Sequence, residues 1–264
     1  MVRPATSVLL QGVPQTATQT LFLFPDGAGS ASAYIKLPKI RPDLAVVGLN
    51  CPFVRHPEEM TCTLDELVGS YLNEIRRRKP SGPYNFGGWS AGGSLAFKAA
   101  SELISQGDEV SSLTLLDSPA PQKLGKLPQR FLDHLREAGV FQSGVPGGPT
   151  KEMPKTLMPH FNGTMEIMAG YRPKPLPEGK SPKTTIIYAT DSALKGDKAF
   201  ASQPGDPDDM KFLTENKTDL SATAWKELVP GVEVKVERAE GADHFSLMVC
   251  KSHEVGVWPL LIFT

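Results

Sequence analysis

A serine between glycines, in residues 88–92 (GWSAG), constrains this chain more than any other stretch. Strand-forming residues precede it at 84–86, and a helix-forming run follows from Ser94. The G-x-S-x-G pattern predicts a strained turn that exposes a serine hydroxyl above a sheet, with small flanking residues because strand and helix approach closely. We therefore predict that Ser90 is a nucleophile. The alternative is a tight glycine turn whose serine does no chemistry.

Acyl transfer to a serine needs hydrogen-bond donors for the oxyanion that forms. The backbone N–H of Ala91, at the predicted helix start, is the first candidate. The second is expected in the loop after an earlier central strand, and the apolar strand LFLF ends in such a loop, residues 25–32 (PDGAGSAS). Gly27 is our candidate there, with Asp26 and Ala28 as alternatives. An ordinary turn between strand and helix would explain the same residues.

A serine hydroxyl also needs a general base to take its proton. His244 follows the last predicted strand, at the edge of the sheet from which a loop can carry it over Ser90. With an aspartate between them, the chain order Ser, Asp, His is that of the α/β-hydrolase fold. The other histidines are expected to be structural or exposed: His56, His134, His160 and His253.

Two carboxylates are candidates for the acid that orients this histidine. Asp117 ends the strand predicted after the helix that follows Ser90, and Asp191 follows a later strand. Catalytic groups in open parallel sheets gather beyond the carboxyl ends of the strands, so position alone does not choose between them. Asp243 is adjacent to His244, and we expect its side chain to be aimed elsewhere.

The chain alternates apolar strands with helices, which predicts an α/β fold with a mostly parallel sheet and helices on both faces. We expect a single domain over residues 1–264, with a core formed by residues 1–118 and 183–264. The predicted strands are an edge strand at 7–12, buried strands at 21–24, 44–49, 84–89, 112–117 and 184–189, and an outer strand at 232–237.

Residues 119–182 are rich in proline and glycine and predict an inserted helical lid over the carboxyl edge of the sheet. Helices are predicted at 128–138 and 153–171. Four methionines there suit an adaptable apolar wall, or equally the core of a helix: Met153, Met158, Met165 and Met168. Beyond the lid, residues 201–217 are polar and predict a surface loop.

Composition excludes several classes of protein. A net charge of -1 argues for neither nucleic acid nor an anionic membrane as partner, and no apolar run approaches the roughly 20 residues that span a bilayer. The first residues lack the apolar core of a signal peptide. The three cysteines have no framework spacing and are expected to be free thiols: Cys51, Cys62 and Cys250. We therefore expect a soluble, cytoplasmic protein.

Four motifs together resemble the thioesterase domains of fatty acid, peptide and polyketide megasynthases: residues 23–29, 88–93, 115–117 and 241–245. The sequence is similar, more narrowly, to the C-terminal thioesterase/Claisen cyclase domains of fungal non-reducing polyketide synthases. In that family the acid lies on the strand after the nucleophile. The resemblance therefore implies Asp117 rather than Asp191, and a triad of Ser90, Asp117 and His244.

The resemblance also implies a function and a partner. An acyl carrier protein would deliver a polyketide on its phosphopantetheine arm, Ser90 would take the acyl group, and the polyketide would be released by ring closure. The domain itself would bind no cofactor and no metal. A hydrolytic thioesterase with the same triad is one alternative, and a binding protein that has lost its chemistry is another. The chain is expected to be a domain of a longer synthase.

Overall fold

A computed structural model describes residues 2–121, 127–140 and 154–249. It contains one seven-stranded sheet, with the strands in the order β1-β3-β2-β4-β5-β6-β7. Only β1 is antiparallel to its neighbour, so the predicted class, α/β with a mostly parallel sheet, is confirmed. The strands are β1 (Thr6–Gln11), β2 (Gln19–Phe24), β3 (Leu44–Asn50), β4 (Tyr84–Trp89), β5 (Val110–Leu116), β6 (Lys183–Asp191) and β7 (Val234–Asp243).

The helices of the described residues are α1 (Leu64–Arg78), α2 (Ala91–Ser105), α3 (Gln129–Glu137), α4 (Leu157–Met168), α5 (Lys211–Thr214) and α6 (Thr223–Leu228). The three helices predicted above, which correspond to α2, α3 and α4, are present, with differences at their ends. The helix expected over 153–171 begins at Leu157, and Met153 lies outside the described residues. None of the described helices is both long enough and apolar enough to cross a membrane.

The central strands are buried on both faces, as their continuous apolar sequences predict. Because side chains alternate along a strand, Phe22 and Phe24 pack in one buried cluster with residues of α1, α2 and α6. Leu21 and Leu23 belong to a second cluster, together with residues from short 3-10 helices that follow β2 and β7. This two-sided burial holds the carboxyl ends of the strands, where the candidate residues lie, in a fixed layer.

The prediction that residues 201–217 form a surface loop is wrong for part of the segment. It contains a 3-10 turn at Asp208–Met210 and the short helix α5, and Met210 is buried. Met210 and Leu213 pack in a third apolar cluster with Phe131 and Leu135 of α3. The segment is mostly polar, and its inward-facing residues are too few to produce a periodic pattern, so the sequence did not predict their burial.

The close approach of β4 and α2 can be tested with Gly88→Ala. A Cβ at Gly88 would lie 2.1 Å from the carbonyl carbon of Gly92, in backbone that cannot move aside. We expect the substitution to lower the free energy of unfolding in urea by about 3 kcal/mol or more. The matched control is Gly69→Ala within α1, where a Cβ meets nothing within 4 Å; it should stabilise by roughly 0.5–1 kcal/mol. A Gly88→Ala protein as stable as wild type would contradict this account.

Candidate active site

Ser90 lies on the sharp turn between β4 and α2. Its backbone has φ 57° and ψ -127°, a region that residues with side chains rarely adopt. The conformation is held from both sides: Ser90 N donates to the Leu116 carbonyl at 3.1 Å, and Ser118 Oγ donates to the Ser90 carbonyl at 2.6 Å. A Cβ at Gly92 would lie 2.5 Å from the Phe24 carbonyl oxygen, which explains the second glycine of the motif.

The helix start lies directly beside this serine. Helix α2 begins at Ala91, so the Ala91 N–H is among the four amides that have no partner within the helix. The helix dipole adds partial positive charge at the same place. Ser90 and Ala91 both line one cavity, so an oxyanion that forms on an acyl group attached to Ser90 would develop beside this amide.

Asp117 and His244 form a buried pair. His244 Nδ1 is 2.8 Å from Asp117 Oδ2, and the Asp117 side chain has no exposed surface. The other carboxylate oxygen accepts from Ala189 N in β6 at 3.0 Å. Since the carboxylate accepts, Nδ1 carries the proton and Nε2 is the nitrogen available for acid–base chemistry. The pair joins the end of β5 to the residue that follows β7.

The imidazole of His244 is also held by aromatic side chains. Trp89 lies with its ring 5.0 Å from the imidazole, centroid to centroid, and its Nε1 donates to the His244 carbonyl at 3.1 Å. Phe212 meets the same imidazole edge-on at 5.5 Å. Ser90 and His244 line the same cavity. The structure thus brings the predicted nucleophile and base to one chamber.

The other two aspartates have different partners. Asp191 is the last residue of β6 rather than following it, and its carboxylate pairs with Lys195 at 2.7 Å. Asp243 accepts from the backbone N–H groups of the next turn, those of Phe245 and Ser246. Of the three carboxylates considered from the sequence, Asp117 is the one that contacts the His244 ring.

Three of the remaining histidines have ordinary surroundings or lie outside the described residues. His56 is exposed beside Glu58, and His134 bonds to the Lys198 carbonyl at 2.8 Å. His253 is outside the described residues. His56, Glu58 and Glu59 are close enough together to bind a metal ion, but they are mostly exposed and none of them lines the cavity.

The loop after β2 borders the same cavity as Ser90. Asp26, Gly27 and Ala28 all line it, so the predicted donor and both alternatives lie at the chamber. The Gly27 carbonyl accepts from two side chains of α4, His160 Nδ1 at 2.9 Å and Thr164 Oγ1 at 3.2 Å. His160 was expected to be structural or exposed, and it is buried.

Asp26 is an ionisable group in this loop. Burial raises the pKa of its carboxyl to about 7, against the smaller opposing effect of the Ala28 backbone N–H. Its Oδ1 is buried and has no hydrogen-bond partner in the part of the chain that the structure describes. Asp26 therefore keeps its proton at pH values where an ordinary aspartate is charged, which limits negative charge at the wall of the cavity that Ser90 and Ala91 also line.

Lys217 is a further charged group at the site that the sequence did not indicate. Its Nζ lies 3.3 Å from Asp117 Oδ2 and 4.2 Å from the centre of the Phe212 ring, with only 9% of the side chain exposed. A lysine in a polar, turn-rich segment is ordinarily on the surface, so no local signal predicts this contact. Asp117 thus shares one oxygen between an imidazole and an ammonium group.

The chamber itself has a volume of about 730 Å³ and is mostly apolar. Side chains of α3 and α4 form much of its wall. Its volume is large enough for a ligand of several fused rings. Met165 and Met168 line it, whereas Met158 packs in the cluster of α3. The described wall residues from these two helices are Phe131, Leu135, Leu157, Phe161, Met165 and Met168.

The raised pKa of Asp26 predicts a pH-dependent stability. The folded state holds a proton that the unfolded state releases near its ordinary value of 3.8, so wild type loses free energy of unfolding as the pH rises from about 4 to about 7. Asp26→Asn has no such proton. In urea unfolding, its stability relative to wild type should rise across that range and level off above it. A difference that does not change with pH would contradict this.

The contact of Lys217 with Asp117 predicts a loss of stability when it is removed. Lys217→Met takes away one of the polar partners of a fully buried carboxylate. We expect the free energy of unfolding in urea to fall by about 2–3 kcal/mol.

The control for this experiment is Lys195→Met. Lys195 is exposed and pairs with Asp191 rather than with Asp117, so this variant should stay within about 1 kcal/mol of wild type. A Lys217→Met protein as stable as wild type would show that Lys217 does not stabilise the buried carboxylate of Asp117.

Comparison with known proteins agrees with this fold. Residues 19–255 match the profile of the thioesterase domain family. The chain is 50% identical over 254 residues to the non-reducing polyketide synthase VdtA of Byssochlamys spectabilis and 44% identical to the norsolorinic acid synthase stcA of Emericella nidulans. These matches cover 93% and 95% of this chain and 11% of each synthase, so the chain spans about a tenth of the length of these relatives.

Solved structures share the fold. The NocB thioesterase domain, in covalent complex with a fluorophosphonate nocardicin G analogue, has a TM-score of 0.67 at 24% identity, over 95% of this chain and 94% of that one. RedJ-thioesterase of the prodiginine pathway in Streptomyces coelicolor has a TM-score of 0.63 at 20% identity, over 92% of this chain and 89% of that one. The predicted α/β-hydrolase fold and the resemblance to fungal non-reducing polyketide synthases are thereby confirmed. With its profile matched over nine-tenths of its length, the chain belongs to the thioesterase domain family.

Proposed function

We propose that this domain releases a carrier-bound aromatic polyketide by taking it as an ester on Ser90 and then closing a ring through a carbon–carbon bond. The observation that carries the proposal is that Ser90 and His244 line one large apolar chamber, with His244 bound to the buried Asp117. The 44% identity to a norsolorinic acid synthase supports a product of the norsolorinic acid anthrone type.

Acyl transfer to Ser90 is the first step. His244 Nε2 takes the proton of the Ser90 hydroxyl as its oxygen attacks the thioester carbonyl. The Ala91 N–H and a donor at Gly27 stabilise the resulting oxyanion. When the tetrahedral intermediate collapses, the carbon–sulfur bond breaks and the proton passes from His244 to the thiolate of the leaving phosphopantetheine. Asp117 keeps the imidazole in the required tautomer throughout.

Ring closure is the second step. His244, again neutral, takes a proton from a carbon that lies between two carbonyl groups of the bound chain. The carbanion attacks the ester carbonyl, a carbon–carbon bond forms, and the carbon–oxygen bond to Ser90 breaks. The proton on His244 returns to the serine oxygen, which regenerates the enzyme. The same base and the same oxyanion donors therefore serve both steps.

The shape of the chamber determines whether carbon or water attacks the ester. Its apolar walls from α3 and α4 leave a water molecule few polar groups to bind, and a folded aromatic chain would fill much of the space. We propose that residues 119–182 form the lid that closes this chamber over the core of residues 1–118 and 183–264. A hydrolytic thioesterase is the second candidate, and the same pair of residues would support it.

The partner of this reaction is an acyl carrier protein, which presents the polyketide on its phosphopantetheine arm. The match to a small part of very long synthases favours a carrier domain of the same polypeptide. The residues at the site are those of acid–base and acyl chemistry, so we propose that the domain works without its own cofactor or metal. We further propose that it acts in the cytoplasm without nucleic acid or membrane as a partner.

The proposal predicts what wild type and two variants release from a thiol-linked aromatic poly-β-ketone. Wild type should release a product lighter than the free acid by one water. Ser90→Ala and His244→Ala should each lose that product by about 1,000-fold or more. Mass spectrometry of the released material distinguishes ring closure from hydrolysis.

Ser105→Ala, an exposed position at the end of α2, is the control and should turn over as wild type does. Release of the free acid alone would replace the cyclase with the hydrolase. Undiminished turnover by Ser90→Ala would rule out Ser90 as the nucleophile. No turnover by wild type, together with a failure of fluorophosphonates to label it, would instead indicate a binding protein without this chemistry.

A further inference from the structure

Helix α4 of the inserted segment is hydrogen-bonded to the loop that borders the nucleophile. Both donors reach the same acceptor, the carbonyl oxygen of Gly27: His160 Nδ1 at 2.9 Å and Thr164 Oγ1 at 3.2 Å. The two side chains are one turn apart on α4, lie 3.3 Å from each other, and are 2% and 3% exposed. A carbonyl oxygen has two lone pairs, and here both have a partner.

The same helix also fills the space above the glycines of this loop. A Cβ at Gly27 would lie 2.6 Å from the ring of Phe161, and a Cβ at Gly29 would lie 2.2 Å from the ring of His160. Gly29 has a φ of 78°, which also favours glycine. Phe161 and His160 therefore occupy the space beside these two glycines, and α4 packs this closely against the loop because residues 27 and 29 lack side chains.

The protonation state of His160 suits a permanent donor. Burial lowers the pKa of its imidazole, so the ring is neutral at physiological pH. Its Nε2 is buried and has no partner within the described ranges, whereas Nδ1 faces a carbonyl. A neutral imidazole has one N–H, and its proton lies on the nitrogen that faces an acceptor, which here is Nδ1. His160 thus donates without bringing a buried positive charge.

The direction of the Gly27 carbonyl matters because Gly27 lines the same chamber as Ser90. A peptide next to glycine can rotate at little cost, and rotation could turn this carbonyl toward the chamber. A carbonyl oxygen there would place partial negative charge where the oxyanion develops. Two hydrogen bonds to one oxygen, in a buried setting, oppose that rotation.

We propose that His160 and Thr164 are positioning residues that hold the Gly27 carbonyl, and with it the peptide that joins Gly27 to Ala28, so that this oxygen does not turn into the oxyanion hole. The inference rests on the proposed function. It adds that the inserted segment takes part in catalysis as well as in enclosing the substrate. When α4 moves away from the loop, the Gly27 carbonyl loses both donors. The oxyanion hole is therefore complete only when α4 is seated over the chamber.

The test compares Thr164→Val, which removes the hydroxyl and keeps the shape, with Thr164→Ser, which keeps the hydroxyl. With the thiol-linked aromatic poly-β-ketone as substrate, Thr164→Val should lower kcat about tenfold and leave KM unchanged. Thr164→Ser should recover most of kcat. At position 160, His160→Asn keeps an N–H donor near the place of Nδ1 and should exceed His160→Leu in kcat by about the same factor.

A merely structural role would give a different pattern. It would lower the melting temperature of the variants while kcat per fluorophosphonate-titrated site stayed at the wild-type value, and this result would overturn the inference. Ser90→Ala separates the two proposals. If Ser90→Ala is inactive and Thr164→Val is unimpaired, the inference about α4 fails and the proposed function stands. If Ser90→Ala turns over normally, both fail.

Discussion

The buried carboxylate of Asp117 is the interaction on which the arrangement of the site depends. A charge with no exposed surface is costly unless it is paired and hydrogen-bonded. Its partners come from three different places in the chain: the Ala189 amide in β6, His244 after β7, and Lys217 after α5. Folding the carboxyl edge of the sheet and assembling the site are therefore the same event, because each partner compensates for the same buried charge.

The strand order makes this assembly possible. Strands β5, β6 and β7 are parallel neighbours, so their carboxyl ends meet at one edge of the sheet. Ser90 reaches that edge from β4, where glycines let α2 begin directly after the serine. The loop after β2 and helix α4 complete the chamber from the other side. Parallel topology, rather than closeness in sequence, brings these groups together.

The sequence predicted those features that have a local physical cause. Glycines at 88 and 92 indicated the turn, and continuous apolar strands indicated a parallel sheet. Because His244 follows a predicted strand, it was expected at the carboxyl edge of that sheet. The choice between Asp117 and Asp191 was beyond local reasoning, because both end strands at the same edge. It came from the family resemblance, and the contact of Asp117 with His244 agrees with it.

The contacts of Lys217, His160 and Thr164 were not predictable from local patterns. Each joins segments far apart in the chain through one polar side chain, and such pairs leave no periodicity in the sequence. The surface loop expected at 201–217 was wrong for a different reason. Its inward-facing residues, Met210 and Leu213, belong to a short apolar group at 210–213 within a run of polar residues that suggested a surface loop. Long-range polar contacts thus mark the limit of single-sequence reasoning in this chain.

The contact between Trp89 and His244 affects how precisely His244 is positioned relative to Ser90. Ser90 and His244, the proposed nucleophile and base, follow β4 and β7, with two strands between them. Small variations in the spacing of about 4.8 Å per strand add up across such a distance. Trp89 adjoins Ser90 in sequence, yet its indole bonds to the His244 backbone and lies against the imidazole. The position of His244 relative to Ser90 therefore depends on this direct contact as well as on the spacing of the strands between them.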